Sequence, residues 1–124
     1  MEIKYKQFVI IPKKPKMSTG KISSQTAHAT FMALEQQQKP LIEKWKNNGM
    51  CVIVLECVDT TQLMGIAKYL EQWKIPHHLY IDEGLTEIPM GTATALATGV
   101  MTEEQHWMLS QLELFRWNRM NKKK

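Results

Sequence analysis

The sequence predicts an α/β protein in which helices cover both faces of one mixed β-sheet. Three observations indicate this fold class. Short apolar or β-branched runs alternate with longer amphipathic segments, the run CVIVLECV is typical of a strand buried on both faces, and no repeat or linker divides the chain. A length of 124 residues with 44% hydrophobic residues suits one shared core. We therefore expect residues 1–124 to form a single domain, with a basic tail at about 118–124.

Turn and capping residues define the first strand and the first helix. QFVIIP (7–12) is short and β-branched and is followed by Pro15, as is typical of a strand. A helix then begins at Ser18 or Thr19, either of which can cap it, and continues to about Gln37.

A second helix, a buried strand and a third helix follow. Pro40 opens the second helix, which ends near Gly49. CVIVLECV (51–58) is the buried strand, and Asp59 caps the next helix with Gln62 three residues on, a capping-box pattern. The inner stripe of this third helix consists of Leu63, Ile66, Ala67 and Leu70.

Two strands and a helix complete the predicted chain. HHLYI (77–81) and TATALAT (92–98) are the strands. Alternation in the second places its alanines on one face, close beneath a helix. The opposite face receives Thr92, Thr94 and Thr98. The last helix, from about Thr102 to Trp117, is predicted from the inward spacing of Met108, Leu112 and Phe115.

Composition excludes several classes of protein. No run approaches the roughly 18 apolar residues of a membrane span, and the N-terminus lacks the apolar core of a secretory signal, so we expect a cytoplasmic protein with no membrane partner. Cys51 and Cys57 lie six residues apart on one strand, about 20 Å, which is too far for a disulfide. No Cys or His spacing indicates a metal site, and we expect neither metal nor cofactor.

Positive charge is concentrated at the two ends of a chain whose net charge is +4. Residues 1–24 contain six lysines and one acid, and residues 116–124 contain five basic residues and no acid. This separation suggests a polyanionic partner such as RNA, because each lysine that neutralises a phosphate releases counterions. For 122–124, a solvated tail that aids solubility is the alternative.

The first segment with functional potential is MSTGKISSQTAHA (17–29). Helical spacing places Lys21, Gln25 and His28 on one edge of the predicted helix. Lys21 lies in the first turn, where free backbone N–H groups and the helix dipole favour an anion. Taken singly, Lys21 is also compatible with an exposed lysine of no function, and His28 with a structural histidine.

The second such segment is DEGLTEIPMGTAT (82–94). Asp82 ends a strand and opens a glycine-containing loop, which is where functional groups gather at the rim of a sheet. Thr86, Thr92 and Thr94 supply hydroxyls that donate or accept without ionising. The alternative for Asp82 is a purely local role in capping the turn.

Together, these two segments resemble the paired motifs of the archaeal and eukaryotic type of peptidyl-tRNA hydrolase, over about residues 16–99. The resemblance implies a three-layer α/β/α domain with a four-stranded mixed sheet, and hydrolysis, without a metal, of the ester between a peptide and the 3′-terminal ribose of tRNA. The residues that match the family's catalytic site are Lys21, Asp82, Thr86 and Thr94. The residues beside them, which we expect to bind substrate, are Gln25, His28 and Thr92.

The sequence departs from the family pattern just before the first motif, where IPKKPKM lacks the usual arginine and aspartate. Lys13 and Lys14 are therefore expected to replace the arginine as phosphate contacts. The alternative function is a non-catalytic adaptor on the same fold that binds RNA or a protein. Trp107 and Trp117 are compatible with a homodimer surface or with the core.

Overall fold

A computed structural model describes residues 1–83 and 88–116, which form one mixed sheet with helices on both faces. The strands are β1 (Lys6–Pro12), β2 (Cys51–Cys57), β3 (His77–Ile81), β4 (Ala93–Met101) and β5 (Glu113–Leu114). The helices are α1 (Thr19–Leu34), α2 (Lys39–Asn47) and α3 (Thr60–Gln72), with a 3-10 helix at Glu103–Leu109. None of the helices in these ranges combines the length and apolarity needed to cross a membrane.

The sheet has the strand order β3-β4-β1-β2-β5. β1 and β2 are parallel, whereas β4 is antiparallel to both of its neighbours, β1 and β3. β1 and β3 therefore run in the same direction, so the residues that follow them emerge at the same edge of the sheet as the beginning of β4. The predicted mixed sheet is confirmed.

Alternating residues of β1 pack against helices on opposite faces of the sheet. Phe8 and Ile10 belong to the cluster that includes Leu63 and Leu70 of α3. The other cluster contains Val9, Ile11, Ala29, Ala33, Ala95 and Ala97, and its small side chains allow α1 to approach the sheet closely. The close contact predicted between a helix and the alanines of β4 is thus confirmed for Ala95 and Ala97, which pack under α1.

The helix starts agree with the predicted caps. The Ser18 hydroxyl accepts a hydrogen bond from the Lys21 backbone N–H at 3.1 Å. The Asp59 carboxylate accepts from the Gln62 N–H at 2.9 Å, and the Gln62 side chain accepts from the Val58 N–H at 2.7 Å. Each cap satisfies backbone donors that a helix start leaves without an intrahelical acceptor.

The predicted helix from Thr102 to Trp117 is wrong over the described residues, and the sheet has five strands rather than four. The short 3-10 helix ends at Leu109, and the chain then pairs with the outer edge of β2. Met108 and Leu112 pack on the α3 side of the sheet, whereas Phe115 packs on the α1 side. A single helix face cannot reach both sides, so the helical spacing of these residues was misleading. Residues 117–124, which include Trp117 and the basic tail, lie outside the described residues.

A β-bulge in β4 makes the predicted side-chain directions of Ala93 and Thr94 wrong. Tyr80 pairs with Ala95 and Ile81 pairs with Ala93, which leaves Thr94 as the extra residue. Ala93 consequently packs on the α3 side, unlike Ala95. Thr94 turns towards α1, where it contacts Gln25. The strict alternation that placed Thr94 on the opposite face fails at this bulge.

Cys57 is buried at the end of β2 and is expected to react slowly with alkylating reagents. Burial, and next the nearby Asp59 carboxylate, raise the pKa of the Cys57 thiol to about 11. At pH 8 only about one thiol in a thousand is then ionised, and the thiolate is the reactive form. Native protein treated with iodoacetamide should therefore be alkylated at Cys51, which is partly exposed, at least about tenfold faster than at Cys57. Peptide mass spectrometry measures the two rates, and equal rates in the folded protein would contradict the burial argument. Urea-unfolded protein is the control.

Candidate active site

The strand directions bring the two motifs together at one edge of the sheet. α1 begins shortly after β1, Asp82 follows β3 directly, and Thr94 lies at the start of β4. Since the ends of β1 and β3 and the start of β4 share this edge, the first turns of α1 lie beside Asp82 and Thr94. The site is therefore assembled from segments about 60 residues apart in sequence.

An ion pair joins the first motif to the second. The Lys21 Nζ atom donates to the Asp82 Oδ1 atom at 2.6 Å. The Lys21 side chain is 9% exposed and the Asp82 side chain 5%, so both charges are largely withdrawn from water. Removing two charges from water costs free energy that their attraction does not always offset. An ion pair in this position is better explained by a functional requirement than by stability alone.

Gln25 extends the ion pair to β4. Its side chain is buried, and its Nε2 atom donates to the Thr94 Oγ1 atom at 2.6 Å and approaches the Asp82 Oδ1 atom at 3.5 Å. The amide fixes the position of the hydroxyl relative to the carboxylate. Four of the predicted site residues thus form one continuous polar cluster, which we call the catalytic cluster: Lys21, Gln25, Asp82 and Thr94.

Further along the same edge of α1, His28 meets an aromatic residue of β3. The His28 and Tyr80 rings are stacked, with centroids 4.7 Å apart and planes inclined by 15°. The His78 and Tyr80 ring centroids lie 6.3 Å apart, with planes inclined by 48°. Burial, and next the neighbouring His77, lower the pKa of His78. We call His28, Tyr80 and His78 the aromatic strip.

Tyr80 was not among the predicted site residues. Alternation along β3 already places His78, Tyr80 and Asp82 on one face of the strand, the face that α1 covers. The sequence signal for Tyr80 is therefore its position two residues before Asp82 on the same strand face.

The other predicted threonines occupy different positions. The Thr92 hydroxyl donates to the Pro89 carbonyl at 2.8 Å, and the Thr92 carbonyl accepts from the Asp82 N–H at 2.8 Å. Thr92 thus shapes the turn that carries Asp82, and within the described residues its hydroxyl bonds to the Pro89 carbonyl of that turn rather than to a side chain of the catalytic cluster. Thr86 lies outside those residues.

Lys13 and Lys14 are not part of the catalytic cluster. The Lys13 Nζ atom lies 3.8 Å from the Glu56 Oε2 atom, on the β2 side of β1, while β4 separates β1 from the strand that ends at Asp82. Lys14 is exposed. The two lysines therefore lie away from the catalytic cluster.

Metal binding receives no support from the described part of the chain. Within residues 1–83 and 88–116, no three His, Cys, Asp or Glu side chains lie close enough to hold one ion.

Comparison with known proteins identifies the family. The family model described as "Peptidyl-tRNA hydrolase PTH2" matches residues 5–115. The chain belongs to this family. The resemblance inferred from the two motifs is thereby confirmed, and the match extends beyond both of them.

Several known proteins are similar to most of this chain. A peptidyl-tRNA hydrolase of Thermococcus onnurineus is 39% identical over 104 residues, which cover 82% of this chain and 88% of the relative. A peptidyl-tRNA hydrolase of Methanopyrus kandleri is 34% identical over 104 residues, which cover 82% of this chain and 89% of the relative. A probable peptidyl-tRNA hydrolase 2 of Dictyostelium discoideum is 30% identical over 102 residues, 80% of this chain and 49% of that longer protein.

The cluster formed by Lys21, Gln25, Asp82 and Thr94 in this PTH2 chain contains groups that can support the hydrolysis of an ester. A carboxylate can accept a proton from water, an ammonium can stabilise a developing oxyanion, and an amide and a hydroxyl can orient both. The cluster contains no serine or cysteine, and the Thr94 hydroxyl is hydrogen-bonded to the Gln25 amide and the Tyr80 carbonyl rather than to a general base that could activate it as a nucleophile. The arrangement therefore favours direct attack by water.

Proposed function

We propose that this chain hydrolyses the ester between a peptide and the terminal ribose of tRNA at the catalytic cluster, and so releases free tRNA and free peptide. The observation that carries the proposal is the 2.6 Å contact between the Lys21 Nζ and Asp82 Oδ1 atoms, because it joins the two family motifs at one place. The PTH2 match over residues 5–115 supports the choice of substrate.

In the proposed mechanism, Asp82 orients the attacking water and accepts its proton. The water oxygen bonds to the ester carbonyl carbon, and Lys21 stabilises the resulting oxyanion or, alternatively, holds the terminal phosphate. The intermediate then collapses as the bond to the ribose oxygen breaks, and the proton passes from Asp82 to that oxygen. The products are a ribose hydroxyl on tRNA and a carboxyl group on the peptide.

The remaining polar groups position the reactants. Gln25 holds Thr94 at 2.6 Å and lies between it and the carboxylate, so we propose that Thr94 directs the ester towards the attacking water. Thr86 and Thr92 are proposed to assist, the first as a hydroxyl donor and the second through the turn. Such positioning contributes to the rate because it removes the entropic cost of bringing water and ester together.

A turnover assay on purified peptidyl-tRNA tests the function directly. The expected result is release of many equivalents of peptide per protein molecule, measured by separating free peptide from acid-precipitated tRNA. Tight tRNA binding without release would instead identify a non-catalytic adaptor, and a filter-binding measurement on deacylated tRNA distinguishes this outcome from failure to bind.

Lys13 and Lys14 are expected to contribute to tRNA affinity through phosphate contacts. Replacing both with alanine should reduce the slope of log affinity against log salt concentration by about two if each lysine meets one phosphate. A reduction of about one would assign the contact to Lys14, because Lys13 already lies 3.8 Å from the Glu56 carboxylate. The control is the double variant Lys68→Ala with Lys74→Ala, which removes two exposed lysines near α3 and should leave the slope unchanged. An unchanged slope in the first variant would contradict the contact.

Three further expectations are part of this proposal. We propose that residues 1–124 act as one domain, which the family match over residues 5–115 supports. A cytoplasmic location follows from a role in translation. A homodimer through Trp107 is compatible with the 56% exposure of this side chain, which packs edge-to-face against the equally exposed Trp73 at 6.0 Å.

A further inference from the structure

We propose that the aromatic strip binds the terminal nucleobase of the substrate, with the base stacking on the exposed face of His28. This inference rests on the proposed function and adds the part of the tRNA that the site recognises. It concerns His28, Tyr80 and His78, none of which takes part in the proton transfers described above.

The strip has the geometry of a stacking platform whose outer ring is the exposed imidazole of His28. His28 is exposed and lies almost parallel to Tyr80, with ring centroids 4.7 Å apart. One face of the imidazole is covered by the phenol ring, which leaves the other for a third flat ring. Within the described part of the chain, neither His28 ring nitrogen makes a hydrogen bond, so folding does not account for the choice of histidine here.

The distance between the strip and the catalytic cluster suits one nucleoside. His28 lies seven residues after Lys21 on α1, which is a rise of about 10 Å along the helix. Tyr80 lies two residues before Asp82, or about 7 Å along the strand. In the proposed binding mode, an ester bound beside the Lys21–Asp82 pair directs its ribose along α1 towards the strip, and the base attached to that ribose reaches His28.

The chemistry favours a nucleobase over a peptide side chain. Proteins bind unpaired bases by stacking them on Tyr, Phe, Trp or His rings. The peptide varies from one substrate molecule to the next, whereas every tRNA ends in the same adenosine. The terminal adenine is thus the flat ring that always accompanies the reacting ester, and a fixed platform beside the cluster is useful only to a constant group.

Two small esters with the same acyl group test this assignment. One is the N-acetylphenylalanyl ester of the adenosine 3′-hydroxyl, and the other is the same ester of a ribose analogue without a base. We expect wild-type protein to prefer the adenosine ester in kcat/KM by on the order of tenfold or more, the usual effect of one stacked base. His28→Ala should bring this ratio to within about twofold of one, whereas His28→Phe should largely restore it.

A matched control comes from the same helix. Phe31 is also an exposed aromatic residue of α1, 64% exposed, and no ring contact joins it to Tyr80 in the described part of the chain. Phe31→Ala should therefore retain the wild-type ratio. Thermal unfolding of each variant confirms that the comparison is made between folded proteins.

The outcomes separate this inference from the proposed function. If wild-type protein fails to release peptide from peptidyl-tRNA, the proposed function is wrong. If it releases peptide but shows no preference for the adenosine ester, or if His28→Ala keeps the preference, the nucleobase assignment is overturned. If the loss of kcat/KM in His28→Ala depends on whether the acyl group is acetylphenylalanyl or acetylglycyl, and not on the base, the strip binds the peptide. That result would also overturn the nucleobase assignment.

A binding measurement covers the case in which both small esters turn over too slowly. Adenosine 5′-monophosphate should shift the His28 ring proton resonances upfield in proton NMR spectra, whereas ribose 5-phosphate should not, because ring-current shifts require a stacked base. Equal responses to both compounds, or none to either, would overturn the assignment.

Discussion

Asp82→Asn is expected to reduce kcat/KM for peptidyl-tRNA at least about a hundredfold, the usual contribution of a positioned general base. Asparagine has nearly the shape of aspartate and keeps an oxygen for the Gln25 amide, which approaches Oδ1 at 3.5 Å. What it lacks is the negative charge that accepts a proton from water. The loss should therefore appear mainly in kcat, with a smaller change in KM.

The neighbouring carboxylate is the matched control for this variant. Glu83 is exposed and directly follows Asp82. Glu83→Gln removes the same charge one residue away, and its kcat/KM should stay within about twofold of wild type if the effect is specific to the catalytic cluster. Hydrolysis by Asp82→Asn at the wild-type rate would exclude Asp82 as the base.

The second large effect is expected in stability. Lys21→Met keeps the aliphatic stem but removes the ammonium that lies 2.6 Å from a carboxylate exposed by only 5%. Breaking a buried pair in this way typically costs about 3 kcal/mol of unfolding free energy or more, because the remaining charge stays buried without that compensation. In the double variant Lys21→Met with Asp82→Asn, both charges are gone, and most of the loss should be recovered.

Urea unfolding of the wild type, both single variants and the double variant measures this coupling. An exposed ion pair on α2 is the control for the effect of burial. The Lys46 Nζ and Glu43 Oε2 atoms lie 3.6 Å apart, and their side chains are 50% and 62% exposed. Lys46→Met should cost less than about 0.5 kcal/mol. If Lys21→Met cost no more than this, or if the double variant were the least stable of the four, burial would not govern the energetics of the ion pair.

Much of the site could be predicted from the sequence because its main residues lie at the ends of regular elements. Lys21 follows a capped helix start, and Asp82 ends a strand between two recognisable segments. In the structure, β1 and β3 run in the same direction and bring the two together, a convergence that the sequence indicated only through the resemblance of the paired motifs to a known family. Gln25 followed from helical spacing alone, since one turn separates it from Lys21.

The errors arose where contacts between elements outweighed local pattern. The bulge at Thr94 is a property of the pairing between β3 and β4, and alternation within one strand does not reveal it. The spacing of Met108, Leu112 and Phe115 fitted a helix, yet their side chains pack on two sides of the sheet. Alternation along β3 places Tyr80 on the same face as Asp82, but the sequence does not show that the ring of His28, from another element, stacks on it.

The position of β4 has a consequence for how the protein is made. β4 is hydrogen-bonded on both sides, to β1 and to β3, yet it follows both of them in the chain. A polypeptide emerges from the ribosome N-terminus first, so β1 and β3 are synthesised before the strand that must join them. Until residues 93–101 have emerged, β3 lacks the strand with which it pairs in the described sheet, and the hydrogen-bonded sheet that fixes Asp82 relative to α1 is incomplete. A nascent chain that stalls before this point therefore lacks the catalytic cluster, even though Lys21 and Asp82 are already present in it.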